Sequence, residues 1–268
     1  MKAIILAAGE GKRLRPLTND KPKCMVDLFG KTLLEWKIDV LKKCGISEII
    51  IVTGYKKNSI NIQDVIFYEN NEFDKTNMVE TLFCTRKEFD DSLLIIYGDI
   101  IFEKDVLEKI LDNNDGISLI IDQNWKEYWK IRFENPLDDA ESLRIDENGF
   151  IQNIGQKVNN IEEISGQYIG LIKFDKTVIH KILEFYDKMK ELAKKGENPL
   201  NPKLSFEKSY MTDFLQAMIE NGFKIKAIPI QNKWLELDSF DDYQKYEQMN
   251  ESGQIKKFFN PRLNKNSL

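Results

Sequence analysis

The chain reads as an α/β protein built on a mostly parallel, Rossmann-like central sheet with helices on both faces and a small hairpin-and-lid insertion on one side. Three observations lead there. Short apolar runs such as KAIILAA, EIIIVT, LLIIY and ISLIID recur between stretches of helical period. The runs are nearly continuous instead of alternating with polar residues, as in strands buried on both faces. The first of them runs straight into a loop rich in glycine, basic residues and proline, AAGEGKRLRPLTNDKPK.

Taken in order, residues 2–8 form a buried strand, and LLEWKIDVLKKCG forms a helix whose Leu34, Ile38 and Leu41 share a face before Gly45 ends it. EIIIVTGY and VIFYEN are the next strands, a helix spans about 78–89, and LLIIYGD and ISLIID are strands again. The segment QNWKEYWKIRFENPLDDAE then breaks the rhythm. It leads into a hairpin, LRIDENGFIQNIG, with Glu147-Asn148-Gly149 at its turn. YIGLIKF resumes the strands, followed by a helix over about 176–195, a loop, a helix near 210–221, the strand KIKAIPI, and WLELDSFDDYQKYEQM. Residues 1–250 are expected to form one domain, with 1–122 as a nucleotide-binding half and 123–250 completing it on the acceptor side. Residues 251–268, ending in FFNPRLNKNSL, read as a loose tail.

Composition narrows the function. With 268 residues and 42% apolar content the chain can bury a substantial core, and a net charge of −5 gives it no global positive field for nucleic acid or an anionic membrane. Three cysteines without C-x-x-C spacing and a single histidine, His180, fit neither a disulfide framework nor a zinc site. A reducing cytoplasm is the expected location, since the opening apolar run is too short for a signal sequence and no run approaches a membrane span.

The opening loop matches neither standard phosphate fingerprint. Gly9 and Gly11 are followed by Leu14, so the third glycine of a dinucleotide loop is missing, and Leu6 and Arg13 stand where a Walker loop needs Gly and Ser or Thr. What remains is a flexible loop with Lys12, Arg13, Arg15, Lys21 and Lys23 around it, suited to a local polyanion. Asp99 ends one apolar strand and Asp238 a later one. Two carboxylates facing a basic loop suit Mg²⁺ that also holds nucleotide phosphates. Each also reads as a helix cap when taken singly, Asp238 above all, because Ser239 and acidic residues follow it.

LAAGEGKRLRP, KPK, the GD after an apolar strand and the late ELD together resemble the nucleotidyltransferases that join a nucleoside triphosphate to a phosphorylated small molecule and release pyrophosphate. TNMVETL, YGDIIF, WKEYWKIRFENPLDDAE and GQYIGLIKF are similar to its cytidylyltransferase branch, which activates phosphocholine, phosphonates or, for capsule phosphoramidate synthesis, phosphoglutamine. The resemblance implies that backbone from Leu6, Ala7, Ala8 and Gly9 holds base and ribose, that Glu10, Gly11, Lys12 and Arg13 surround the triphosphate, and that Lys23 touches the α-phosphate, with Arg13 and Lys23 as the catalytic cations. Asn77, Met78, Thr81 and Gly98 join the nucleotide pocket, and Asn77 in its TNMVETL context carries the preference for CTP. Asp99 and Asp238, with Glu236, would bind Mg²⁺, while Lys157, Gln167 and Tyr168 face the acceptor. No histidine base is required, because a phosphate monoester, with a second pKa of about 6, is already ionised at neutral pH. A hexose-1-phosphate uridylyl- or thymidylyltransferase and a non-catalytic nucleotide sensor are the competing readings, and a homodimer is left open. The absence of the hexose branch's Q-x-x-x-x-G-x-A stretch, with GQKV around Lys157, weighs against the first; retention of Lys23, Asp99 and Asp238 weighs against the second.

The polar insertion adds one expectation. On a helix Trp125, Tyr128 and Trp129 share a face, so their rings project together, either packed on the sheet or as a lid over the acceptor. Lys126, Glu127, Lys130 and Glu134 favour a surface element, with Arg132 available for an acceptor carboxylate or phosphate.

Overall fold

β1, Lys2–Ala7, is buried along its whole length because its side chains feed two apolar layers in alternation. Ala3, Ile5 and Ala7 enter one layer and Ile4 and Leu6 the other, which places β1 at the centre of a covered sheet. The computed structural model describes residues 1–262.

A small hairpin, β2 (Asp27–Leu28) and β3 (Lys31–Thr32), leads into α1, Leu33–Lys43. Thr32 and Glu35 cap α1 reciprocally: the Thr32 hydroxyl accepts the Glu35 N–H at 3.1 Å, and the Glu35 carboxylate accepts the Thr32 N–H at 2.8 Å. β4 (Ile49–Thr53), β5 (Ile66–Glu69) and α2 (Met78–Phe83) follow. α2 is shorter than the sequence suggests. The wholly buried Thr85 turns its hydroxyl back onto the Leu82 carbonyl at 2.6 Å, and a 3₁₀ turn at Arg86–Glu88 takes over. Then come β6 (Leu93–Tyr97), β7 (Ile100–Phe102), α3 (Lys104–Leu111), β8 (Ile117–Asp122) and α4 (Trp125–Arg132). The expected hairpin is β9 (Glu141–Ile145) against β10 (Ile151–Lys157), antiparallel. β11 (Gln167–Phe174), α5 (Ile179–Ala193), α6 (Met211–Glu220), β12 (Lys226–Ile230), β13 (Trp234–Glu236) and α7 (Phe240–Glu251) complete the order.

The central sheet has seven strands in the order β12-β8-β11-β6-β1-β4-β5. All neighbours run parallel except β11, which is antiparallel to both β6 and β8. Order reverses around β1, which runs between β6 and β4, and the carboxyl ends of β1 and β6 open there into a crevice. The short β7–β13 ladder is what brings a late segment to that crevice.

Residues 251–262 correct the expectation of a loose tail. Ile255, Phe258 and Phe259 are buried, and Phe259 sits edge-on to Trp36 with ring centroids 5.4 Å apart. Their polar neighbours concealed an apolar anchor; residues 263–268 of the expected tail lie outside the described residues. Among the described residues the cysteines are free, and no helix is long and apolar enough to cross a membrane.

Candidate active site

The loop after β1 is anchored by the wholly buried Leu14, which leaves the neighbouring basic side chains at the surface of the crevice. Gly11 adopts φ +67°, and a Cβ there would lie 3.0 Å from the Cβ of Lys23, so glycine lets the two segments approach. Thr18 ties the loop down by donating its hydroxyl to the Gly11 carbonyl at 2.8 Å. Lys23 opens the 3₁₀ turn Lys23–Met25, and Cys24 within it and Val26 after it are buried, which turns the lysine toward the crevice.

There Lys23 Nζ donates to Asp99 Oδ2 at 2.8 Å and to Asp238 Oδ1 at 2.7 Å. Asp99 occupies the turn between β6 and β7, and Asp238 follows β13; the ladder between β7 and β13 sets them side by side, with the Leu237 N–H donating to the Asp99 carbonyl at 2.9 Å. Arg13 adds an ion pair to Asp238. Burial acts to raise the Asp238 carboxyl, but Lys23 and Arg13 outweigh it and hold the group below the usual carboxylate range. For Lys23, burial opposes the charge and the surrounding Asp99, Asp238 and Glu236 restore it, leaving the ammonium above its ordinary range. The second carboxylate oxygen of Asp99, Oδ1, is buried and has no hydrogen-bond partner among the described residues.

This crevice encloses about 440 Å³, and a second hollow of about 380 Å³ adjoins it across Arg13, Met78, Tyr97 and Glu236. A phosphate-rich ligand fits the basic mouth of the first. The second is walled by Tyr97, Trp129, Tyr168 and Tyr210 and carries the carboxylates of Asp139, Glu141 and Glu236.

The family profile of the MobA-like NTP transferase domain matches residues 3–146. A CTP:phosphoglutamine cytidylyltransferase from Campylobacter jejuni is 40% identical over 253 residues, 90% of this chain and 97% of that enzyme. The chain belongs to the MobA-like NTP transferases. Two solved structures share the fold of this transferase: a CTP:phosphocholine cytidylyltransferase from Streptococcus pneumoniae, at TM-score 0.72 and 24% identity over 93% of this chain and 98% of that one, and an inositol-1-phosphate CTP transferase from T. maritima, at TM-score 0.68 and 22% identity over 97% of each. The protein is thus a nucleotidyltransferase enzyme.

Of the residues expected around the nucleotide, Leu6, Ala7, Ala8, Gly9, Gly11, Lys12, Arg13, Lys23, Asn77, Met78, Thr81, Gly98 and Asp99 line the transferase's first crevice. Glu10 does not. It turns aside to pair with Arg15 and, at 3.3 Å, with Lys12. Asn77 lines the crevice with a side chain already committed: it accepts the Met78 N–H at 2.8 Å as helix cap and donates to the Lys208 carbonyl at 3.3 Å. Thr81 is likewise engaged, with Asn77 and Asn70. Gln167, Tyr168, Trp129 and Glu236 border the second hollow of the transferase, although Gln167 is tied through both ends of its amide to the Glu141 backbone.

The aromatic lid is overturned. α4 does present Trp125, Tyr128 and Trp129 on one side, but that side faces the core, with the residues 1%, 1% and 3% exposed. Tyr128 packs on Trp234 at 5.3 Å and shares a hydroxyl contact of 2.5 Å with Tyr246. Of the three, only Trp129 reaches the second hollow. Arg132 is no acceptor clamp either, since its buried guanidinium is ion-paired with Glu236 and, at 3.2 Å, with Asp242. The charges of Lys126, Glu127 and Lys130 belong to the opposite, solvated face, where Glu127 pairs with Lys257 at 2.9 Å. Lys157 lies exposed at the end of β10 and lines neither hollow, because the hairpin points it to solvent.

Sequence reasoning missed Tyr97, Asp139, Glu141 and Tyr210. A signal for Tyr97 existed. Gly170, with φ +87° inside β11, is where an added Cβ would meet the Tyr97 ring at 2.6 Å, and a glycine within a strand marks such an approach.

Proposed function

We propose that this transferase moves CMP from CTP to a phosphorylated small-molecule acceptor carrying a cationic group, with release of pyrophosphate. The observation that carries the reading is Lys23 bridging Asp99 and Asp238 at the mouth of the glycine loop. An oxygen of the acceptor phosphate attacks the α-phosphorus of CTP, and the bond from that phosphorus to the bridging oxygen breaks, so the electron pair and charge leave with pyrophosphate. Lys23 meets the charge on the α-phosphate, Arg13 that on the departing phosphates, and the loop backbone aligns them. No proton needs to be removed by a base, and His180 lies far out on α5, 84% exposed and paired with Glu184.

Asp99 and Asp238 suit Mg²⁺, which takes one or two protein carboxylates together with substrate phosphates. The unpartnered Oδ1 of Asp99 fits that use, whereas Glu236 is engaged by Arg132 and fits it poorly. When bound there, the ion would neutralise phosphate charge. CTP is favoured by the cytidylyl specificity named for the Campylobacter relative; with the Asn77 side chain engaged, backbone around residues 6–9 is left to read the base.

The acceptor class follows from the second hollow. With Arg13 at the boundary and Asp139 and Glu141 beyond it, a phosphate at the near end and an ammonium at the far end match the charges in order. Phosphoglutamine and phosphocholine have that polarity, glucose 1-phosphate lacks it, and the cytidylylated derivative of phosphoglutamine would suit phosphoramidate decoration of capsule polysaccharide. Pyrophosphate release is to be measured for CTP, UTP, dTTP and ATP against phosphoglutamine, phosphocholine and glucose 1-phosphate. CTP with an ammonium-bearing acceptor is expected to be fastest. Equal or faster turnover of UTP or dTTP with glucose 1-phosphate refutes the proposal.

A further inference from the structure

Lys37 lies on α1 among the apolar residues that pack against the sheet and is 1% exposed. No carboxylate forms an ion pair with it among the described residues. Burial holds its ammonium down, to about 8, against the weaker support of Cys24 and Asp99. A buried cation without a counter-ion is a costly way to fill a helix position that a methionine would fill with apolar surface alone.

The position of Nζ supplies a reason. It donates to the Gly98 carbonyl at 2.8 Å and to the Ile100 carbonyl at 3.1 Å, the two carbonyls on either side of Asp99. The carbonyl of Asp99 itself receives the Leu237 N–H at 2.9 Å. Three successive peptide groups of the β6–β7 turn are therefore held, two of them by Lys37, and the Asp99 side chain is aimed at Lys23.

We infer that Lys37 is a positioning residue for nucleotidyl transfer: it clamps the turn from beneath so that the Asp99 carboxylate faces the phosphates. The inference rests on Asp99 belonging to the transfer machinery. Lys37→Met and Lys37→Arg in the full chain test it. Lys37→Met is expected to melt near the parent temperature while kcat falls about 100-fold, the loss typical of a displaced catalytic group. KM for CTP should change little, and more Mg²⁺ should be needed for half-maximal rate. Its crystal structure should show Asp99 beyond hydrogen-bond reach of Lys23. Lys37→Arg, which keeps the donors, should recover most of kcat. Turnover within twofold of the parent in Lys37→Met, with Asp99 still on Lys23, overturns the inference; so does a loss that only tracks the unfolded fraction and is no smaller in Lys37→Arg. Should the parent enzyme release no pyrophosphate from any triphosphate, the proposed reaction falls, and the Asp99 position in the Lys37→Met crystal still decides the clamp.

Discussion

Lys23 and Asp238 meet at 2.7 Å across 215 residues of chain, and the same ammonium holds Asp99 at 2.8 Å. One ammonium thus bridges two partly buried carboxylates, with Arg13 as a second counter-ion to Asp238. Lys23→Ala leaves them facing each other, so the variant should melt well below the parent in metal-free buffer and recover part of the difference when millimolar Mg²⁺ is added. Its kcat should fall about 10²–10³-fold, as when a transition-state donor is removed. Thermal melts with and without Mg²⁺ read the first effect, and a melting temperature indifferent to the metal would separate Lys23 from the cation site.

Asp99→Asn keeps the shape of the turn and removes the charge. Because a neutral amide is a poor Mg²⁺ ligand, turnover at saturating Mg²⁺ should drop by orders of magnitude while the far-ultraviolet circular dichroism is unchanged. Near-parental turnover would exclude Asp99 as the metal ligand.

Much of this molecule was legible from its residues. β1, β4, β6, β8 and β11 announce themselves as continuous apolar runs, and the loop of Gly9, Gly11 and Arg13 declares an anion by composition. Period alone could not orient α4. A helix with rings at i, i+3 and i+4 and charges elsewhere has two faces, and sequence spacing does not say which of them meets the sheet. Phe258 and Phe259 were hidden for a related reason, since two apolar residues within a polar end carry no periodicity. Asp139 and Glu141 gave no signal, because their meeting with Tyr168 and Glu236 depends on how the β9–β10 hairpin folds back.

Trp129 now has a structural role. Trp129→Ala removes a ring 3% exposed that packs on Trp125, Tyr128 and Trp234, and should cost about 3–5 kcal/mol of stability by urea unfolding. A loss below about 1 kcal/mol would show that the ring is not integral to the core.

Glu141 gives a pH signature. Partial loss of water at the wall of the second hollow, where Glu141 keeps an exposed edge, followed by the charges of Asp139, Asp213 and Glu236, pushes its carboxyl up from 4.5 toward about 7. Between those values the folded state holds the proton that the unfolded state has released, so this group's contribution to stability falls as pH rises from 4.5 to 7. Melting profiles of Glu141→Gln should be flatter across that window. In the parent the KM for an ammonium-bearing acceptor should decrease as pH passes 7 and the carboxylate forms. An acceptor KM with the same pH dependence in parent and variant would remove Glu141 from acceptor recognition.

The packing of Phe259 on Trp36 also sets an order in time. During synthesis at about 5–20 residues per second, Trp36 waits on the order of tens of seconds for its partner. Throughout that interval the Trp36 and Phe29 rings lack the cover that Phe259 gives them, and for most of it Lys23 and Arg13 lack their partner Asp238. Phe259 therefore closes over Trp36 and Phe29 only after every strand of the central sheet has been made.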